Sequence, residues 1–153
     1  IAAQATSARV VLGEWSDAAL KICRQNIRRN SLSGRVVPMQ ADAREKPEKS
    51  LGEFQCIVSN PPYIPRADID GLDVSVRDYE PHLALDGGED GLVFYRRITE
   101  TAHNFLKKGG LLAFEIGYNQ GESVRGLMQN DFYDTEVIKD LKDNDRVVIG
   151  KLK

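Results

Sequence analysis

The sequence predicts an α/β domain with a mostly parallel sheet and an antiparallel hairpin at its end. Short apolar runs that favour strands alternate along the chain with amphipathic helical segments, and this alternation is typical of parallel βαβ units. The last two strand-like runs follow one another with only a short polar connection, which indicates a hairpin. The 153 residues are 41% hydrophobic and 29% charged, which suits one globular domain with its own core.

The first strand and the first helix are predicted by an apolar run followed by a capping residue. Residues 9–12 include β-branched side chains, and Ser16 or Asp17 then offers a helix N-cap. The helix extends to Asn30, with an apolar stripe made of Ala19, Leu20, Cys23 and Ile27. Its other face is basic and carries Lys21, Arg24, Arg28 and Arg29. We expect that face to be solvated, with docking to RNA or an acidic partner as the alternative.

Two more strands and two polar segments follow. Residues 35–40 predict a strand near a sheet edge, because Pro38 cannot donate a hydrogen bond to a neighbouring strand. The polar residues 43–53 predict a loop with a short helical turn, and residues 54–59 have the composition of a buried strand. Residues 66–90 are acidic and aperiodic and predict a long loop, which in a compact domain is usually functional or mobile.

The second half of the chain predicts a helix, a strand, a second helix and the terminal hairpin. Apolar residues recur at helical spacing from Leu92 to Leu106, and the basic residues and glycine of Lys107-Lys108-Gly109 favour a helix C-terminus there. The remaining strand, helix, strand and strand are expected at residues 110–116, 120–129, 135–140 and 146–152.

Charge and cysteine content limit the classes of function. The formal net charge of −2 argues against a protein held mainly by phosphate contacts, so we do not expect a nucleic-acid partner. Two histidines leave little material for a zinc site, and we expect no metal. Cys23 and Cys56 form no paired motif and are expected to be free thiols in a reducing, cytoplasmic compartment. No apolar run reaches the length of a membrane span, so we expect no membrane partner.

The segment Asn60-Pro61-Pro62-Tyr63 directly follows the predicted strand at residues 54–59. In open α/β sheets, ligands bind beyond the carboxyl ends of the strands, so the segment stands where a site is expected. Each proline fixes its own φ and disfavours the α region for the residue before it, which makes this piece of backbone stiff and extended. We interpret the segment as catalytic rather than as a simple proline-rich turn.

The stiff segment presents two acceptors that suit a planar NH2 group. The Asn60 Oδ1 atom and the Pro61 carbonyl can each accept one of the two hydrogens, and the Tyr63 ring offers a face for the flat group. An amide nitrogen is a poor nucleophile because its lone pair is delocalised, so orientation and stabilisation of the positive charge that develops are what a catalyst must supply. The nitrogen becomes acidic only after alkylation, so no strong general base is required.

The motif and the residues after it resemble the release-factor glutamine-N5 methyltransferase family. The matching positions beyond Asn60–Pro65 are Asp68, Tyr79-Glu80-Pro81, Ala84-Leu85-Asp86-Gly87-Gly88, Asp90-Gly91-Leu92, Tyr95-Arg96, Gly109-Gly110, Glu115-Ile116-Gly117 and Asp145-Arg146-Val147-Val148. They cover nearly all of the chain and are more specific than the four-residue motif, which nucleic-acid methyltransferases share.

The resemblance implies a seven-stranded, Rossmann-like class I methyltransferase fold. It also implies S-adenosyl-L-methionine as methyl donor, with S-adenosyl-L-homocysteine as product. The implied substrate is the glutamine of the Gly-Gly-Gln motif in peptide-chain release factors. By this resemblance Asn60 and Pro61 grip the glutamine amide and Tyr63 shapes the pocket, with Pro62 beside them. Glu80, directly before Pro81, either lines the substrate mouth or is a surface loop acid. We expect the protein to act as a monomer.

Candidate cofactor residues stand at three predicted strand ends. Glu14 takes the place of the family's usual Asp and can accept hydrogen bonds from both ribose hydroxyls. Trp15 either covers the adenine or is a packing aromatic. Asp42 is expected to face the adenine amino group, with the Ala43 N–H at a ring nitrogen, and Asn60 to lie beside the methyl donor. The acid Glu115, also at a strand end, is expected to be structural.

The chain departs from the family pattern at its beginning. The glycine-rich cofactor loop, the first strand and the N-terminal helical domain of the family have no counterpart, so the sequence is interpreted as a partial, N-terminally truncated methyltransferase domain at residues 1–153. Because the first strand is normally central, we expect a gap in the sheet. We also expect the 153 residues alone to bind the cofactor poorly and to be inactive.

Three alternatives remain open from the sequence. An N6-adenine, or other exocyclic-amine, nucleic-acid methyltransferase would use the same grip on an NH2 group but would have to flip its base. A ribosomal-protein glutamine methyltransferase would differ only in substrate. A non-catalytic module that binds a partner through this surface belongs to a different class.

Overall fold

The computed structural model describes residues 1–45 and 51–153 and divides into two compact units, Ile1–Pro47 and Glu48–Lys153. The described strands form one two-stranded and one four-stranded sheet. The predicted α/β class is confirmed, and so is the order of the main helices and strands. None of the described helices has the length and apolar character needed to span a membrane.

The first unit consists of strand β1 (Val10–Glu14), helix α1 (Asp17–Arg29) and strand β2 (Val36–Gln40). Of the two predicted N-cap candidates, Ser16 rather than Asp17 caps α1, and its hydroxyl accepts the Ala19 N–H at 3.4 Å. The two strands are parallel and paired from end to end, so their carboxyl ends lie at one edge of the sheet. The buried side chains of Ala2, Ile27 and Val36 form the small core of this unit.

The four-stranded sheet of the second unit has the order β3-β4-β6-β5. Its strands are β3 (Phe54–Ser59), β4 (Leu106–Glu115), β5 (Phe132–Lys139) and β6 (Asp145–Leu152). Strands β3 and β4 are parallel, whereas β6 runs antiparallel to both β4 and β5. The predicted terminal hairpin is therefore confirmed, with β5 beginning earlier than the sequence indicated.

Helices α4 (Val93–Ala102) and α5 (Gly121–Met128) belong to the same unit. Tyr95 of α4 and Phe114 of β4 are both fully buried, and their rings meet edge to face with centroids 5.2 Å apart. Other fully buried members of this core are Leu112, Ile116, Val124, Met128 and Val148. The core thus packs directly beneath the residues that follow β4.

The predicted end of α4 was wrong. The helix ends at Ala102, and the basic residues with Gly109 lie in β4. Gly109 has a φ of +74°, and the register of β4 against β3 shifts between the pairs that contain Phe54 and Cys56. The glycine therefore serves a β-bulge rather than a helix C-cap, two settings that both favour a positive φ.

The segment predicted as one long loop contains three short helical elements. They are the 3₁₀ helix Arg66–Gly71, helix α2 (Val74–Arg77) and helix α3 (His82–Leu85). Each is only one or two turns long, too short to produce a helical period in the sequence. Ile69 and Leu85 are buried and anchor the segment. Of the predicted loop at 43–53, residues 46–50 lie outside the described residues.

Candidate active site

The Asn-Pro-Pro-Tyr turn, residues 60–63, leaves the carboxyl end of β3. Asn60 is exposed, Pro61 is buried, and Tyr63 is half-buried against the core. The Asn60 side chain and the Pro61 carbonyl accept no hydrogen bond from any residue that the structure describes. Two of the predicted substrate-gripping groups therefore remain unpaired on a stiff backbone, which is the condition for binding an external donor.

The chain after the turn is joined to the segment around Asp86. The Ile64 N–H donates to the Leu85 carbonyl at 3.1 Å, and the Ile64 carbonyl accepts the Gly87 N–H at 2.9 Å. Arg66 donates from Nε to Asp86 Oδ2 at 3.0 Å. These contacts form a short parallel bridge that holds the outgoing chain in place.

Gly87 lets two backbones meet at this bridge. A Cβ atom at Gly87 would lie 2.8 Å from the Tyr63 Cα and 2.9 Å from the Gly91 Cα, distances that side chains essentially never adopt. The obstructing atoms are backbone atoms, so they cannot move aside as a flexible side chain would. Gly87 belongs to the family pattern in the sequence, but that pattern does not indicate its contact with the turn.

Gln120 is a buried amide that the sequence analysis missed as a site residue. Its Nε2 donates to the carbonyls of Tyr63 at 3.0 Å and Gly91 at 3.3 Å, while its Oε1 accepts the Gly117 N–H at 3.0 Å. The signal that could have found it is its position: an amide residue between the end of a buried strand and the start of a helix, although Asn119 beside it offers a second amide.

The Tyr95 hydroxyl lies beside the same amide. It donates to the Glu115 carbonyl at 3.0 Å and lies 3.5 Å from Gln120 Oε1. Burial raises the pKa of Tyr95 far above its usual range, and the nearby Tyr63 and Glu115 add to the effect. Tyr95 is therefore a neutral hydrogen-bond donor, and its acceptor at residue 115 is the backbone carbonyl rather than the Glu115 carboxylate.

Glu80 lies between α2 and α3 with an exposed side chain. Its backbone N–H donates to the Val76 carbonyl at 2.9 Å, and its carboxylate forms no ion pair with a described residue. The structure thus leaves this carboxylate accessible without bringing it into contact with the Asn-Pro-Pro-Tyr turn.

The four predicted adenosine-binding residues share one edge of the first unit. Glu14 and Gln40 are paired at the ends of β1 and β2, so Trp15, Asp42 and Ala43 follow the same edge. Glu14 Oε1 accepts the Ser16 N–H at 2.8 Å, which fixes one carboxylate oxygen and leaves the other without a hydrogen bond to any described residue. Trp15 is 49% exposed. This edge offers an oriented carboxylate beside an accessible aromatic ring.

The Asp42 carboxylate forms a salt bridge with Arg44, two residues later in the chain. The guanidinium bonds to both carboxylate oxygens, with an Nη2–Oδ2 distance of 2.6 Å, and the Arg44 backbone N–H lies 2.8 Å from Oδ1. The Arg44 side-chain hydrogen bond lowers the pKa of Asp42. Asp42 is therefore ionised, with part of its acceptor capacity occupied, whereas the Ala43 N–H has no described acceptor.

Comparison with known proteins gives a consistent result. The "Methyltransferase small domain" family matches residues 1–74. A release factor glutamine methyltransferase of Clostridium acetobutylicum is 41% identical over 98% of this chain and 53% of its own length. That of Geobacter sulfurreducens is 41% identical over 99% of this chain and 52% of its own length. The chain therefore spans about half the length of these curated relatives.

Solved structures support the same fold. A methyltransferase from Pyrococcus furiosus matches 98% of this chain and 66% of its own, with a TM-score of 0.68 at 18% identity. TrmN from Thermus thermophilus matches 99% of this chain and 39% of its own, with a TM-score of 0.67 at 19% identity. These likenesses show the class I methyltransferase fold, and the sequence is similar to release factor glutamine methyltransferases over nearly all of this chain.

Proposed function

We propose that this chain methylates the side-chain amide nitrogen, N5, of the glutamine in the Gly-Gly-Gln motif of peptide-chain release factors. The observation that carries the proposal is the pair of unpaired acceptors, Asn60 Oδ1 and the Pro61 carbonyl, at the carboxyl end of β3. The 41% identity to release factor glutamine methyltransferases supports the choice of substrate. The free thiols Cys23 and Cys56 suit a reducing cytoplasm.

The acceptors act on the nucleophile rather than on the methyl donor. Each takes one hydrogen of the glutamine NH2 group, which fixes the plane of the amide and points its nitrogen along one direction. Orientation of this kind is worth roughly 7–11 kcal/mol in favourable cases. As the nitrogen becomes positive, both acceptors bind its hydrogens more strongly, which stabilises the transition state more than the ground state.

Methyl transfer to the amide nitrogen needs no general base from the protein. S-adenosylmethionine supplies a methyl group on a sulfonium sulfur, so the carbon–sulfur bond breaks as the nitrogen–carbon bond forms. The product amide nitrogen is strongly acidic and loses one proton to water. Asn60 and Pro61 therefore hold the NH2 hydrogens until transfer and do not need to remove one first.

We infer the cofactor-binding residues from the carboxyl ends of β1 and β2 in the first unit. We propose that the free Glu14 oxygen accepts hydrogen bonds from the ribose hydroxyls and that Trp15 lies against the adenine. The Ala43 N–H would donate to an adenine ring nitrogen and Asp42 would accept from the adenine amino group with the capacity that Arg44 leaves. Asn60 would lie beside the methyl group.

Charge favours a protein substrate over a nucleic acid. Residues 66–90, which are hydrogen-bonded to Ile64 directly after the turn, contain eight acidic residues and two arginines. A polyanion would be repelled by this segment, whereas a basic protein loop would be attracted. The same charge does not separate a release factor from a ribosomal protein, nor a catalyst from a binding module, so those alternatives are decided by the assay.

The test is methyl transfer from labelled S-adenosylmethionine by the protein expressed from its complete reading frame. A release factor with Gly-Gly-Gln should accept one methyl group per molecule, and a Gly-Gly-Ala version should accept none. Label on the Gly-Gly-Ala protein, on a ribosomal protein or on adenine in DNA would assign another substrate. Absence of transfer to all of these acceptors would favour the non-catalytic module.

A further inference from the structure

We infer that Gln120 is a positioning residue, which fixes the outgoing end of the Asn-Pro-Pro-Tyr turn for methyl transfer. The inference rests on the proposed function and adds a residue to its machinery. Gln120 is 7% exposed and stands directly before α5. It contacts neither the expected NH2 group nor the acceptors that grip it, so any effect on the reaction passes through Tyr63.

The partners fix the orientation of the Gln120 amide. Two carbonyl oxygens, of Tyr63 and Gly91, face one side of the group, and the Gly117 N–H faces the other. Only one assignment of nitrogen and oxygen gives each partner a complementary atom. The single hydrogen of the Tyr95 hydroxyl goes to the Glu115 carbonyl, which is the closer acceptor. Both amide hydrogens of Gln120 and its oxygen are thus used.

The three segments joined by Gln120 are the turn, the chain before α4 and the end of β4. They meet with almost no free space. A Cβ at Gly91 would lie 2.8 Å from Gln120 Nε2, and a Cβ at Gly117 would lie 3.0 Å from Gln120 Oε1. The Gln120 amide therefore fills the space between the three segments, and Tyr63 cannot shift without breaking a buried hydrogen bond.

Fixing Tyr63 fixes the geometry of the grip. The turn is held at its beginning by β3 and at its end by the Gln120 bond and the Gly87 contact. Between these two points the prolines keep the backbone stiff. A displacement of the outgoing end is therefore passed to the Pro61 carbonyl and the Tyr63 ring, and a misplacement of ~1 Å can cost ~10²-fold in rate.

The experiment compares three variants with the wild-type protein. Gln120→Met removes all the hydrogen bonds at similar length, and Gln120→Glu keeps acceptor oxygens but removes the NH2 group. Gln129→Met, at the exposed end of the same helix, is the matched control. Each protein is assayed on a release factor at a temperature where circular dichroism shows it to be folded. Hydrogen exchange of the peptide spanning residues 60–68 is measured in parallel.

Both Gln120 variants should lose ~10- to 100-fold in kcat while the KM for S-adenosylmethionine stays unchanged, and residues 60–68 should exchange faster. The Gln129 variant should match the wild type in both measurements. Folded Gln120 variants with wild-type kcat, a loss that lies only in the KM for the cofactor, or failure of both variants to fold would each overturn the inference. If the wild type transfers no methyl, the proposed function fails, and unchanged exchange in the Gln120 variants would still refute the positioning role.

Discussion

Arg66 donates a hydrogen bond from Nε to Asp86 Oδ2 across 3.0 Å and so ties the chain leaving the Asn-Pro-Pro-Tyr turn to the segment beside it. The other oxygen, Asp86 Oδ1, accepts the Gly88 N–H at 2.8 Å. Arg66 is largely exposed, but the Asp86 side chain is only 17% exposed, so this carboxylate is screened less than a surface pair would be. The bridge around the turn therefore depends on an ionised Asp86.

The first prediction concerns pH. The Gly88 N–H hydrogen bond and then Arg66 lower the pKa of Asp86 in the folded protein, against the opposing effect of burial. Its contribution to stability is thus fully present above the unfolded pKa of ~3.9 and is lost as pH falls through the lower folded value. Asp86→Asn should lower the free energy of unfolding at pH 7 by about 1 kcal/mol.

The measurement is Tm against pH for wild type, Asp86→Asn and the control Asp68→Asn. Asp68 is exposed and forms no ion pair with a described residue. The gap between wild type and Asp86→Asn should close as pH drops below about 4. A gap that stays constant with pH would show that ionisation of Asp86 contributes nothing to stability.

The second prediction concerns the grip itself. Asn60→Ala removes one of the two acceptors and should lower kcat by ~10²–10³-fold, the usual effect of losing one preorganised polar group at a reacting atom. Because the Asn60 side chain has no described hydrogen-bond partner, Tm should barely change. The exposed Asn119 offers the control substitution, Asn119→Ala. Near-normal turnover by Asn60→Ala would remove this residue from the mechanism.

The third prediction tests the close approach at Gly87. Gly87→Ala places a methyl group against the Tyr63 and Gly91 backbones and should cost about 1–3 kcal/mol in stability, with reduced kcat. Gly71→Ala is the matched control, since a Cβ there meets nothing within 4 Å. Urea unfolding of both variants gives the comparison, and equal midpoints would contradict the packing described at Gly87.

The fourth prediction concerns the edge of the first unit. Glu14→Ala removes the expected ribose acceptor and should raise the Kd for S-adenosylmethionine by ~10-fold or more, the equivalent of one hydrogen bond to a charged group. Trp15 is the only tryptophan in the sequence, so its fluorescence should report binding directly. Glu136→Ala, on an exposed position of β5, is the control. If calorimetry shows that Glu14→Ala binds S-adenosylmethionine with the wild-type Kd, the ribose role of Glu14 is excluded.

The sequence predicted those parts of the fold that depend on local patterns. The bounds of the strand Phe54–Ser59 and the position of the turn after it are confirmed, because an apolar run stopped by two prolines has few alternatives. Its predicted burial was wrong: none of its residues is buried and Val58 is exposed, since β3 is an edge strand of the four-stranded sheet. The sequence limited the N-cap of α1 to Ser16 or Asp17, and the structure assigns it to Ser16. A positive-φ glycine such as Gly109, in contrast, suits either a helix end or a bulge, and only pairing with β3 decides between them.

The candidate site was predicted only where its residues are contiguous. Asn60 to Tyr63 form one motif, but Gln120 and Gly87 reach Tyr63 through contacts between residues far apart in sequence. No local pattern encodes such contacts, because they depend on how β4, α5 and the segment after the turn pack. The engagement of Asp42 by Arg44 was likewise missed, although the two residues are neighbours, because orientation of long side chains is not fixed by spacing.

The fully used amide of Gln120 also limits how the sequence can change over evolutionary time. A shorter or apolar residue at 120 would strand two carbonyls and an N–H, and a side chain at 91 or 117 would collide with the glutamine. We therefore expect residues 91, 117 and 120 to change together, so related chains should either keep all three or replace them jointly. A substitution at one of these positions should be tolerated only with a second substitution at another.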